Sequence, residues 1–119
     1  MAIDINNINW DDLEWEEVRE GIRRKTYQGE QATVTYNEAY RGHEIRPHSH
    51  PAEQIVVWTE GECDFYVDGV VRKMTGGSIM SIPGNAEHYV IITGDGPNYN
   101  FDIFVPARRE YGYGVKKKK

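Results

Sequence analysis

The chain has 119 residues, a length that supports one domain and one hydrophobic core rather than two. Its formal net charge is -5, and Lys116 to Lys119 contribute +4 of that balance, so the rest of the chain stands near -9. This argues against nucleic-acid binding by the folded body. No apolar run approaches the roughly 18 residues of a membrane span, and the N-terminus lacks a basic-then-apolar leader pattern, so the expectation is a cytoplasmic protein that engages no membrane. Cys63 is the only cysteine, which excludes an internal disulfide. Its setting between Glu62 and Asp64 disfavours a thiolate, so it reads as a small strand residue.

In chain order, the stretch Asn9 to Trp15 predicts a helical turn started by Asp11, with acidic residues in its first turn. From Val18 the pattern becomes strand, turn, strand. A strand over 21–27 leads to a turn at Gln28-Gly29-Glu30. Residues 31–36 then alternate at period two, with Ala32, Val34 and Tyr36 on one face. Asp68-Gly69 between the runs 63–67 and 70–74 is a strong hairpin signal. Gly76-Gly77 precedes a strand at 78–82, Pro83-Gly84-Asn85 precedes one at 88–92, and a last strand at 99–105 stops at Pro106. Some eight to ten short strands with such turns predict an antiparallel sandwich or barrel. The expected organisation is an N-terminal segment, 1–30, packing short strands on a barrel formed by 31–111, with a flexible basic tail at 112–119.

Three of the four histidines fall in two strand-associated clusters. In a strand, residues i and i+2 share a face, so His48 and His50 are placed to hold one ion together. Gln54 has the same parity if Pro51 bends the strand without changing its phase. His88 follows the Pro83-Gly84-Asn85 turn and completes the set if its strand pairs near the first. Imidazole suits several divalent transition metals (Zn, Fe, Ni, Mn or Co), and a neutral amide oxygen is a weak additional ligand. Four such ligands on a six-coordinate ion leave two positions for chemistry, and the charge of the ion favours an anionic ligand. His43 has no such context and reads as a loop histidine.

Residues 42–61 run Gly-x5-His-x-His-x3-Gln-x6-Gly, and residues 77–88 run Gly-x5-Pro-x-Asn-x2-His. These resemble the two motifs of the cupin family. Glutamate is the usual residue at the position of Gln54, and glycine at that of Asn85, whose side chain tolerates a left-handed turn. The resemblance implies an all-β cupin barrel (a jelly roll, or double-stranded β-helix, of antiparallel strands), one metal ion on His48, His50, Gln54 and His88, and a homodimer. A narrower resemblance lies in His-Ser-His-Pro-x-Glu-Gln-Ile, in the closing 102–111 segment and in the Trp10…Val18…Gly21 opening. These look like the small pectin-degradation cupins of the KdgF type, which help convert unsaturated uronates into linear ketone forms. That likeness implies site roles for Asp102, Phe104 and Arg108.

Asn100, Asp102 and Phe104 share a strand face. If it is the interior, Asp102 is placed to shuttle a proton, Arg108 to pair with a substrate carboxylate at the barrel mouth, and Phe104 to supply an apolar wall. The plainer alternative for Asp102 is an ion pair with Arg108 or Arg109. Tyr36, Trp58, Met80 and Tyr89 are candidate cavity residues whose parity stays open. The functions in contention are ring opening or tautomerisation of a small carboxylated sugar-like or enol substrate, an iron-dependent dioxygenase or polyketide-cyclase-type reaction, and small-molecule binding without turnover.

Overall fold

The structure, a computed structural model, describes residues 5–112; the expected basic tail lies almost wholly outside the described residues. A 3₁₀ turn at Trp10–Asp12 is the first element of the described residues. Its cap is Asn9, whose side-chain oxygen accepts from the Asp11 N–H at 2.9 Å, and not Asp11. Asn9 is extended at φ -92°, ψ 141°, the backbone state in which a short polar side chain reaches the free N–H groups of the next turn.

Nine strands follow among the described residues: β1 (Glu16–Arg19), β2 (Ile22–Gln28), β3 (Thr33–Ala39), β4 (Glu53–Glu60), β5 (Glu62–Val67), β6 (Val70–Thr75), β7 (Ile79–Ile82), β8 (His88–Ile92) and β9 (Asn98–Val105). They form an antiparallel six-stranded sheet in the order β1-β2-β3-β9-β4-β7 and a three-stranded sheet in the order β6-β5-β8. The strands expected in the N-terminal segment thus extend the larger sheet. The β5–β6 hairpin turns through Asp68 and Gly69, both at positive φ (48° and 80°), as an Asp-Gly turn matched to strand twist requires.

Register decides what the larger sheet presents inward. Arg24 pairs with Asn37, Asn37 with Asn100, and Asn100 with Trp58. In the next inward row, Thr26, Thr35, Asp102, Val56 and Met80 lie side by side, followed by Gln28, Thr33, Phe104, Gln54 and Ile82. Directly opposed residues in an antiparallel sheet share a face, so each row is a band of side chains facing the smaller sheet. The apolar core fills one end of the space between the sheets with Val56, Trp58, Cys63, Phe65, Met74, Ile82 and Ile92. Cys63 is fully buried. Burial, with Asp64 beside it, pushes its thiol up to about 12, which leaves it inert at neutral pH.

Candidate metal centre

The two histidine clusters meet because the 44–50 segment lies along β8. The backbones of His48 and His88 exchange both hydrogen bonds, at 3.1 and 2.9 Å. The Pro83-Gly84-Asn85 turn docks on the other end of the segment, where the Asn85 N–H donates to the His50 carbonyl at 2.7 Å. Asn85 takes the left-handed conformation at φ 68°. Gly84 is needed for contact: a β-carbon there would stand 2.3 Å from the Pro51 carbonyl oxygen. The result brings the ligating nitrogens of His48, His50 and His88 within 4.8 Å of one another.

Each ring is locked by its own backbone. The Nδ1 of His48 lies 2.9 Å from the Arg46 carbonyl, that of His50 2.8 Å from Ala52, and that of His88 2.9 Å from Ala86. A carbonyl oxygen only accepts, so every Nδ1 carries a proton and, in the neutral ring, every Nε2 presents a lone pair. The His88 Nε2 is buried and has no hydrogen-bond partner among the described residues. Burial pushes the His88 imidazole down to about 4, with His48 and His50 adding repulsion against the raising effect of the Ala86 carbonyl. His48 is also lowered, chiefly by desolvation. Both shifts favour the neutral ring, the form that binds metal.

Gln54 completes the arrangement. Its Oε1 lies 3.0 Å from the His50 Nε2, so two acceptors face each other. The amide is oriented from behind by a hydrogen bond to the Asp102 carboxylate, which accepts only and therefore meets the Gln54 NH₂ group. Converging lone pairs, an orphaned buried nitrogen and an amide oxygen turned toward the rings fit a divalent cation better than a hydrogen-bonding scheme among neutral rings does.

Beside this cluster lies a cavity of about 310 Å³, lined by His48, His88, Gln54, Asn37, Asn100, Asp102, Phe104 and Arg108, with Trp58, Phe65 and Tyr89 among its aromatic walls. Its volume suits a small molecule. Asp102 opens on the cavity and receives Asn37 Nδ2 at 2.9 Å and Asn100 Nδ2 at 3.0 Å. Burial pushes its carboxyl up to about 6, while hydrogen bonds from Gln54, Asn37 and Asn100 pull the other way. The Arg108 guanidinium pairs with Glu110 at 3.0 Å and donates to the Tyr111 hydroxyl, with its Cζ 4.9 Å from the Phe104 ring centroid. Its backbone is fixed by Thr33 and Gln28, which hydrogen-bond its N–H and carbonyl. Phe104 also meets His50 edge-on, centroids 5.4 Å apart.

Six of the seven residues singled out from the sequence therefore line one cavity, and His50 joins them through its contacts with Gln54 and Phe104 rather than by lining it. Of the four residues of open parity, Trp58 and Tyr89 line the cavity, whereas Tyr36 lies on the opposite sheet face. Sequence reasoning passed over Asn37, Arg24 and Tyr111. The parity of β3 and β2 relative to β9 would have pointed to the first two, but only known strand order supplies that parity.

Residues 34–104 match the family model of the Cupin domain. The chain is a cupin. It superimposes with a TM-score of 0.81 on an RmlC-like cupin from Shewanella frigidimarina, at 23% identity over 91% of this chain and 96% of that one. The structure of KdgF from Halomonas sp. gives a TM-score of 0.76, at 23% identity over 82% of this cupin and 90% of that chain. At these identities the likeness is one of fold. A curated relative, the dimethylsulfoniopropionate lyase DddW of Ruegeria pomeroyi, is 32% identical over 60 residues, half of this chain. The match spans 40% of that relative's length.

Proposed function

We propose that this cupin holds one divalent transition-metal ion on His48, His50, Gln54 and His88 and catalyses ring opening or tautomerisation of a small carboxylated, sugar-like enol, as a KdgF-like enzyme. The observation that carries the reading is the placement of Asp102. It enters the cavity one sheet row from the Gln54–Phe104 row, with a carboxyl raised to about 6, a value at which it can both give and take a proton near neutral pH. A bound ion would supply Lewis-acid polarisation of a substrate oxygen.

The protein's own residues divide the remaining work. Arg108 pairs with the substrate carboxylate at the mouth and so fixes which carbon faces Asp102. Asp102 moves a proton between the enol and the adjacent carbon through one of its Oδ atoms. Asn37 and Asn100 hold that carboxylate in place. Phe104 and Trp58 exclude water from the face opposite the proton transfer. Protein reconstituted separately with zinc, nickel, manganese and iron is expected to consume an unsaturated uronate and yield a linear ketone by NMR. Asp102→Asn is expected to slow turnover about 100- to 10,000-fold. Unchanged substrate with every metal would sink the reading.

A second reading is favoured by the DddW match: a lyase in which the same carboxylate removes a proton from an organic acid and a leaving group departs. Release of dimethyl sulfide from dimethylsulfoniopropionate would select it. Oxygen uptake by the iron form would select a dioxygenase instead, and tight binding without turnover a binding module. A homodimer and a cytoplasmic location remain part of the proposal, to be tested by light scattering and by fractionation.

A further inference from the structure

Four arginines line the cavity: Arg19, Arg24, Arg46 and Arg108. Three of them have acceptors at hand. Arg19 Nε donates to the Glu44 carbonyl at 2.9 Å, Arg46 pairs with the Glu44 carboxylate at 2.8 Å, and Arg108 pairs with Glu110 at 3.0 Å. Arg24 differs: its Nε is buried and meets no hydrogen-bond acceptor among the described residues. Its guanidinium instead stacks on Tyr111, with Cζ 4.0 Å from the ring centroid, and Arg108 stacks on the same ring at 4.4 Å. Stacking orients a guanidinium plane while leaving its in-plane N–H groups unused. A buried donor without an acceptor is costly to the protein, and an anion in the cavity would remove that cost.

Register puts this group where a ligand would meet it. Arg24 lies directly opposite Asn37, the residue that donates to Asp102, so the guanidinium stands on the inner face one row from that carboxylate. Glu16 is its neighbour across the β1–β2 pair and is not among the residues lining the cavity. The mouth also carries surplus positive charge. Burial, then repulsion from Arg46, depresses Arg19.

We infer that Arg24 is a specificity-determining residue of this cavity: sharing the Tyr111 ring with Arg108, it seats the carboxylate of a small organic acid whose other end reaches the histidine cluster. The inference deepens the functional reading above and rests on the same cavity, though not on metal being bound. Selection follows from charge. A neutral analogue would leave two guanidinium groups facing an unionised group and would forfeit the charge-assisted hydrogen bonds.

The test is a titration of the full chain with D-galacturonate, then with succinate, with and without added zinc, watching the arginine Nε–H signals by NMR. The Arg24 signal is expected to shift saturably with at least one acid and to stay still with D-galactose. Arg24→Gln is expected to weaken that acid about 10- to 100-fold, and Arg24→Lys, which keeps the charge but not the fork, to recover only part of the loss. Failure of both acids to move the Arg24 signal would overturn the inference, as would wild-type affinity in Arg24→Gln. The wild-type titration needs no variant, so a misfolded mutant does not block the test. Elemental analysis of the same samples reads the metal site separately: a metal-free protein whose Arg24 signal still responds retains the anion seat and loses the metal, and a loaded protein with a silent Arg24 does the reverse.

Discussion

Alternate residues of β3 and β9 serve two unlike environments. Facing inward, Thr35, Asn37, Asn100 and Asp102 make a polar wall for the cavity. Facing outward, Tyr36, Tyr99 and Phe101 form an aromatic layer with Trp10 and Trp15, in which Tyr36 stacks on Tyr99 at 5.7 Å and packs on Phe101 at 4.8 Å. Beside that layer Glu38 accepts from Arg23 at 2.6 Å and from the Tyr99 hydroxyl at 2.8 Å. A half-buried strand ordinarily puts its apolar residues inward. Here the pattern is reversed along the cavity: the inner face carries charged and amide groups around an open space, while the outer face is covered by the N-terminal segment. The outward layer packs the sheet against the N-terminal segment, and the inward wall presents the polar groups of the proposed site.

That division can be broken from either side. The largest expected effect is at the histidine cluster: His50→Ala is expected to lose nearly all bound metal, against about one equivalent in the wild type by elemental analysis, with the fold intact by circular dichroism. Trp58 is 2% exposed and donates to Asn98 at 3.1 Å. Trp58→Ala should therefore cost about 3–5 kcal/mol in denaturant unfolding. On the outer face, Tyr36→Ala should cost about 1–3 kcal/mol and leave metal stoichiometry unchanged. A parallel loss of metal would show that the two faces are coupled. Asp102→Asn sharpens the comparison within the inner wall. Retained metal with lost turnover would mark a proton carrier, whereas metal affinity weakened about 10- to 100-fold would mark a residue that acts through Gln54.

The smallest effect concerns acid stability. Burial alone would raise the Glu38 carboxyl, but hydrogen bonds from Arg23 and Tyr99 outweigh it and hold the group below its usual value. A depressed folded-state value means that its stabilisation is present above the unfolded value and is lost as pH falls through the folded one. Glu38→Gln should therefore flatten the acid limb of a stability-versus-pH curve below about pH 4.5, by roughly 1 kcal/mol.

Much of the candidate site was legible in the chain because its residues are close in sequence and obey strand parity. His48, His50 and Gln54 are two and four residues apart, and Asp102 and Phe104 alternate on one strand. The Asp68-Gly69 and Asn85 turns were legible because few residues adopt positive φ at low cost. The face of β3 was harder. Val34 and Tyr36 alternate as an interior would, and only the packing of Trp10 and Trp15 against Tyr36 reveals an exterior layer.

By itself the sequence determined a small antiparallel barrel and a set of imidazoles spaced to share an ion, since both follow from short-range periodicity and turn chemistry. Tertiary structure alone decided which strands lie side by side. The β3–β9–β4 order puts Asn37 on Asp102 and Asp102 behind Gln54, and the β1–β2 extension brings Arg24 to Tyr111. Those contacts join residues 48 to 87 positions apart, a separation over which no local pattern survives and only sheet register specifies the neighbour.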